Sequence, residues 1–171
     1  MHPDTDATPA FAIRRARPQD HDAVGELTVR AYVDDGHLPP GIDYAEVLRD
    51  AGSRDRDGEL WVAVAPDGTV LGSVTFVAPG TAYAEISRDD EGEFRMLAVA
   101  RAARGTGVGE ALVRHCVARA RELGLSGVAL STQPSMRSAR RVYERVGFTR
   151  APERDWEPVP GVSLLGYHLR L

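Results

Sequence analysis

Apolar and polar positions along the chain repeat with two periods, near two and near 3.6 residues, and the switches between them predict the elements. Residues 11–16, FAIRRA, read as a short strand. Pro18-Gln19-Asp20 then opens a helix of about 15 residues with Val24, Leu27, Thr28 and Ala31 on one side. Residues 34–41, DDGHLPPG, are a loop, because Pro39-Pro40 cannot continue a helix, and a second, weaker helix is predicted from 43 to about 51. ELWVAVAPDGTVLGSVTFV is two apolar runs around Pro-Asp-Gly, the pattern of a hairpin. After a polar excursion over 79–92, residues 93–100 return to strand composition. From 107 to 123 the apolar residues Val108, Leu112, Cys116, Ala120 and Leu123 recur at helical spacing, and Gly124 stops the helix. A strand at 126–130, a short helix at 135–145 ended by Gly147, and a closing antiparallel pair, 148–150 with 162–171, complete the order βααβββαβαββ.

Composition narrows the class. The chain has 171 residues, 43% hydrophobic and 27% charged, which suits one α/β domain over 11–171 preceded by a disordered lead-in at 1–10. No apolar stretch nears the ~20 residues of a membrane span, and the N-terminus lacks the basic start and apolar core of a signal peptide, so a cytoplasmic protein is expected. A net charge of −4 argues against a broad phosphate-neutralising surface, so no nucleic acid is expected as a partner. The single cysteine, Cys116, excludes an intramolecular disulfide; its helical apolar neighbours predict a buried, inert thiol. The histidines His21, His37, His115 and His168 show no metal-ligand spacing, and no metal is expected.

The chemistry concentrates where a strand hands over to a helix, at FRMLAVARAARGTGVGEALV. Glycines there leave free backbone N–H groups at a helix start, which attract anions and phosphate above all. A nucleotide-triphosphatase loop needs Lys and then Ser or Thr after its last glycine, but Gly109 is followed by Glu110 and Ala111. A dinucleotide fingerprint needs two residues between its second and third glycines, whereas only Val108 separates Gly107 from Gly109. The stretch from Arg104 to Gly109, preceded by Leu97-Ala98-Val99, instead resembles the acyl-CoA loop of the GCN5-related N-acetyltransferases. Downstream, ARRVYERVGF at 139–148 is similar to the second signature of that family: an Ala, a Tyr four residues on, then Gly-Phe.

The resemblance implies the acetyltransferase fold, with a mixed, mostly antiparallel central sheet flanked by helices. It implies acetyl-CoA as the acetyl donor and an amine of a small molecule or peptide as acceptor, with direct transfer since no nucleophile for an acyl-enzyme is evident. Homodimers are common in the family, so one is expected as possible. The donor would lie along Leu97, Ala98 and Val99, where the fourth strand splays from the fifth, with its pyrophosphate on Arg104, Gly105, Thr106, Gly107, Val108 and Gly109. Tyr143 matches the tyrosine that protonates the departing thiolate, the other reading being a core aromatic. Glu93 stands where several members carry a general base, the other reading being the solvated start of a strand. By the strand period Glu93, Arg95, Leu97 and Val99 share one face. Met136 stands where many members have an Asn that contacts the pantetheine arm; Ser135 and Ser138 are the candidates to replace it. Tyr32, His37 and Trp156 are candidates for an acceptor pocket, Trp156 equally for pinning a Pro-rich loop. A CoA-binding regulatory module without turnover is the rival function.

Overall fold

The computed structural model describes residues 10–33, 36–37 and 44–171; most of the lead-in and of the 34–41 loop lie outside the described residues. Among the described residues eight strands form the sheet, in the order β1-β2-β3-β4-β5-β8-β6, with β7 paired to β8 off this path. They are β1 (Ala12–Arg15), β2 (Glu59–Val64), β3 (Val70–Val77), β4 (Glu91–Val99), β5 (Gly127–Thr132), β6 (Thr149–Arg150), β7 (Trp156–Val159) and β8 (Val162–Arg170). All neighbours are antiparallel except β4 and β5, which run parallel. Helices α1 (His21–Val33), α2 (Ala45–Arg49) and α3 (Ala51–Asp57) cover one face; α4 (Val108–Glu122) and α5 (Arg137–Val146) cover the other.

The larger core lies under α4 and α5, where Leu112, Val113, Cys116 and Ala120 meet Val74, Phe76, Phe94 and Val128. A smaller one packs Val24 and Ala51 on Leu60 and Val62. The helix predicted from 43 to about 51 is two pieces, because Asp50 leaves the helical region and caps α3, accepting from the Ser53 N–H at 3.1 Å. Buried Arg54 of α3 binds the α2 ends to α1: its Nη1 donates to the Leu48 carbonyl at 2.8 Å, its Nη2 to Thr28 Oγ1 at 3.4 Å. The Pro-rich loop is also more ordered than its sequence suggests. It turns through Pro152–Arg154 and then forms β7, whose Pro158 is tolerated because β7 pairs on one side only.

Two features of β4 shape what lies beside it. Its parallel ladder with β5 has three rungs, Glu91↔Gly127, Gly92↔Val128 and Glu93↔Ala129, and ends there, so residues 94–99 diverge from β5. Opposite, the register with β3 slips between Ser73 and Thr75, a bulge in which Met96 takes φ 55°, the one positive φ among described residues other than glycine. The bulge overturns the expectation that Glu93, Arg95, Leu97 and Val99 share a face. Arg95 pairs with Thr75, whereas Val99 pairs with Gly72, whose face looks onto Val108 and Leu112 of α4. The extra residue shifts the alternation, so Leu97 and Val99 pack toward α4 while Glu93 and Arg95 face the α1 side.

Candidate active site

Divergence of β4 from β5 opens a cleft of about 670 Å³ that runs from the end of β4 to the start of α4. Leu97, Ala98 and Val99 line it, as do Arg104, Gly105, Gly107, Val108 and Gly109, so eight of the nine residues expected to hold the donor come together. The ninth, Thr106, turns its hydroxyl back onto the Ala103 carbonyl. The local reason is the chain path: a tight turn at Arg101–Ala103 leads into Gly105 and Gly107, at φ 77° and 88°, conformations that favour glycine. A Cβ at either would meet nothing within 4 Å, so the backbone there fronts open space rather than packed protein. Gly107 is the N-cap of α4 and makes no side-chain cap, which leaves the first-turn N–H groups and the dipole for an anion. Arg141 and Arg145 of α5 line the same cleft, Arg145 also pairing with Glu110 at 2.5 Å. These features fit a phosphate-bearing, extended ligand.

A second cavity, of about 260 Å³, adjoins the first, since Tyr32 and Met136 line both. Glu93 lines it and is 1% exposed, which removes the reading of a solvated strand start. Its carboxylate accepts three backbone N–H groups, from Glu85 at 2.8 Å, Ile86 at 2.7 Å and Ser87 at 3.1 Å. Burial raises its pKa above the ordinary carboxylate value, while those amides pull the other way. Glu85 and Arg95 stand in the same cavity as an ion pair at 2.6 Å, and burial raises the Glu85 pKa too. The Tyr32 phenol is pushed up to about 12 by burial and is protonated at neutral pH.

Tyr143 is packed into the core, 4% exposed, with ring centroids 5.7 Å from Phe94, 5.8 Å apart between Phe94 and Phe148, and 6.2 Å from Tyr167. Burial raises its pKa, and it is not among the residues lining either cavity. Met136 accepts a weak contact from Thr132 Oγ1 at 3.5 Å to its sulfur. Ser138 lines the cleft, and Ser135 Oγ lies 3.0 Å from His37 Nδ1. Trp156 lines neither cavity; its Nε1 donates to Ser131 Oγ at 3.1 Å, so it pins β7 to β5. Cys116 is fully buried and burial pushes its thiol up, an inert setting. Sequence reasoning did not find Glu85, Arg95, Tyr44 or the β7–β8 wall of the second cavity. Glu85, Tyr44 and β7 sit in segments with no period to read, whereas Arg95 lies on a strand that was read, where the odd Glu and Arg among apolar residues signalled that its α1 side was not plain core.

A glycine-fronted cleft at the start of α4 thus adjoins a smaller, carboxylate-bearing cavity. The chain belongs to the acetyltransferase (GNAT) family, whose profile matches residues 22–148. It is 34% identical over 151 residues to a mycothiol acetyltransferase of Cellulomonas flavigena, an alignment covering 83% of this chain and 41% of that protein. This chain thus spans less than half the length of that relative. Among solved structures, a GNAT acetyltransferase of Staphylococcus aureus Mu50 superposes with TM-score 0.75 at 16% identity, over 95% of this chain and 99% of that one. A GCN5-related N-acetyltransferase of Kribbella flavida gives 0.69 at 25% identity, over 95% and 98%. The yncA protein of Salmonella typhimurium, solved with its cofactor acetyl-CoA, gives 0.69 at 20% identity, over 95% and 94%.

Proposed function

We propose that this acyltransferase moves the acetyl group of acetyl-CoA directly onto a primary amine. The observation that carries the proposal is the end of the β4–β5 ladder at Glu93, which joins a glycine-fronted cleft to a cavity holding that carboxylate. In this reading the unpaired edge of β4 at Leu97 to Val99 binds the amides of the pantetheine arm as an added strand would. Arg104 to Gly109 hold the pyrophosphate at the α4 N-terminus, with Arg141 and Arg145 adding positive charge. The bound donor supplies an activated acetyl thioester. An acceptor ammonium loses two protons on becoming an amide: Glu93 takes the first, freeing the nitrogen lone pair to form the N–C bond, and the second ends on the sulfur as the C–S bond breaks. Tyr143 is the donor to that sulfur that the family resemblance proposes; its ring packs in the core and it lines neither cavity, so its part in the proposal rests on the resemblance alone. Calorimetric titration with acetyl-CoA, followed by a thiol-release assay over a panel of primary amines, tests the proposal. Binding with turnover is expected; binding without turnover on any amine points to the regulatory module instead.

A further inference from the structure

The second cavity carries information about the acceptor, an inference that rests on the donor reading above. Its size, about 260 Å³, falls below the ~300–1,000 Å³ of sites for drug-sized ligands, so what enters is small. Its charged groups come from β4 and the loop before it. Arg95 is committed: its Nε meets the Glu85 carboxylate at 2.6 Å, its Nη1 donates to the Tyr83 carbonyl at 3.3 Å, and its guanidinium lies over the Tyr83 ring at 5.5 Å. Glu93 is not fully committed. A carboxylate has about four acceptor positions, and backbone N–H groups fill three. Among the described residues two carboxylates, Glu85 and Glu93, face one guanidinium, Arg95, so one cation finds a partner here.

The β7–β8 hairpin supplies a wall of different character, formed by Pro158, Val159, Val162 and Leu164, and among the described residues no acidic side chain of that hairpin lines the cavity. A second ammonium against this wall would lose its water without gaining a counter-ion, and a carboxylate would lose its water and face Glu85 and Glu93 as well. A hydrocarbon group would instead bury area on both sides. We propose that the acceptor is a small primary monoamine with an apolar body, its nitrogen at Glu93 and its hydrocarbon on the β7–β8 hairpin. Diamines and amino acids are then poor acceptors because of their second charge.

The test is steady-state kinetics at saturating acetyl-CoA with 2-phenylethylamine, putrescine and glycine, on the wild type and on Val159→Asp and Leu164→Asp. Val159 is 42% exposed, so its replacement spares the core, and calorimetric affinity for acetyl-CoA checks that each variant keeps its fold and donor site. The expected wild-type kcat/KM for 2-phenylethylamine exceeds that for putrescine and for glycine by about tenfold or more, the scale at which apolar pockets discriminate. A carboxylate at 159 or 164 should narrow or reverse the preference over putrescine by pairing its second ammonium. Equal or better turnover of putrescine or glycine by the wild type overturns the proposal, as does an unchanged ratio in both variants. Binding of acetyl-CoA without turnover of any of the three also overturns it, whereas failure to bind acetyl-CoA overturns the donor reading beneath it.

Discussion

Glu93 is a carboxylate taken out of water and held by three amides of one loop, so its protonation is tied both to chemistry and to the order of residues 85–87. Its folded pKa is raised, so the native state binds this proton more tightly than the unfolded chain. The contribution to stability therefore falls as pH rises from the unfolded value of about 4.5 through the raised one. Activity should run the opposite way, since the proposed base works only when ionised. The acid limb of a kcat profile is expected above pH 4.5, and Glu93→Gln should abolish that limb with a loss of about 10²–10⁴ in kcat, read by stopped-time thiol release across pH. Gly107→Asp concerns binding alone. The site has open space for a side chain, but φ 88° costs a non-glycine residue about 1–2 kcal/mol and the carboxylate opposes phosphate. Calorimetry should show acetyl-CoA affinity lost by a hundredfold or more while the melting transition stays cooperative. Cys116 should ignore a thiol reagent in the native protein and react on adding denaturant, because it is fully buried.

At the level of elements, those with a clear period or turn signal were the legible ones, α4 and α5 beside the larger cleft among them. Helix α4 announces itself by its apolar period and by the glycines before it, α5 by Gly147 at φ 118°, and the β2–β3 hairpin by Pro-Asp-Gly. What escaped has a physical reason in each case. The bulge rests on a methionine in a left-handed conformation, which no residue preference foretells, and it reversed the face assigned to Leu97 and Val99. Strand β7 hides in a proline-rich segment because prolines are excluded from central strands but not from edges. The α2–α3 break depends on Asp50 capping α3 by reaching forward to accept the Ser53 N–H, a local choice that tertiary packing of Arg54 reinforces. Leu112 of α4 is fully buried in the larger core, and Leu112→Ala there should cost about 2–5 kcal/mol in a urea denaturation series.

For the whole molecule, the sheet continues without interruption from β1 to β4 and from β5 to β6, but the two parts share only three rungs. Most of what joins them is side-chain packing, together with Glu91, whose buried carboxylate meets Arg154 at 3.1 Å and His168 at 2.6 Å from across the junction. If the donor binds as proposed, amide hydrogen exchange should slow most at residues 94–99 and 105–110, with little change in β1 and β2. The melting temperature should climb with acetyl-CoA concentration, by the equivalent of about 2.7 kcal/mol at a hundredfold excess over Kd. A seam left open along one strand thus makes the fold's completeness conditional. On the proposed reading acetyl-CoA would supply the edge that residues 94–99 do not find in β5, and its supply would set how firmly the two halves are sewn together.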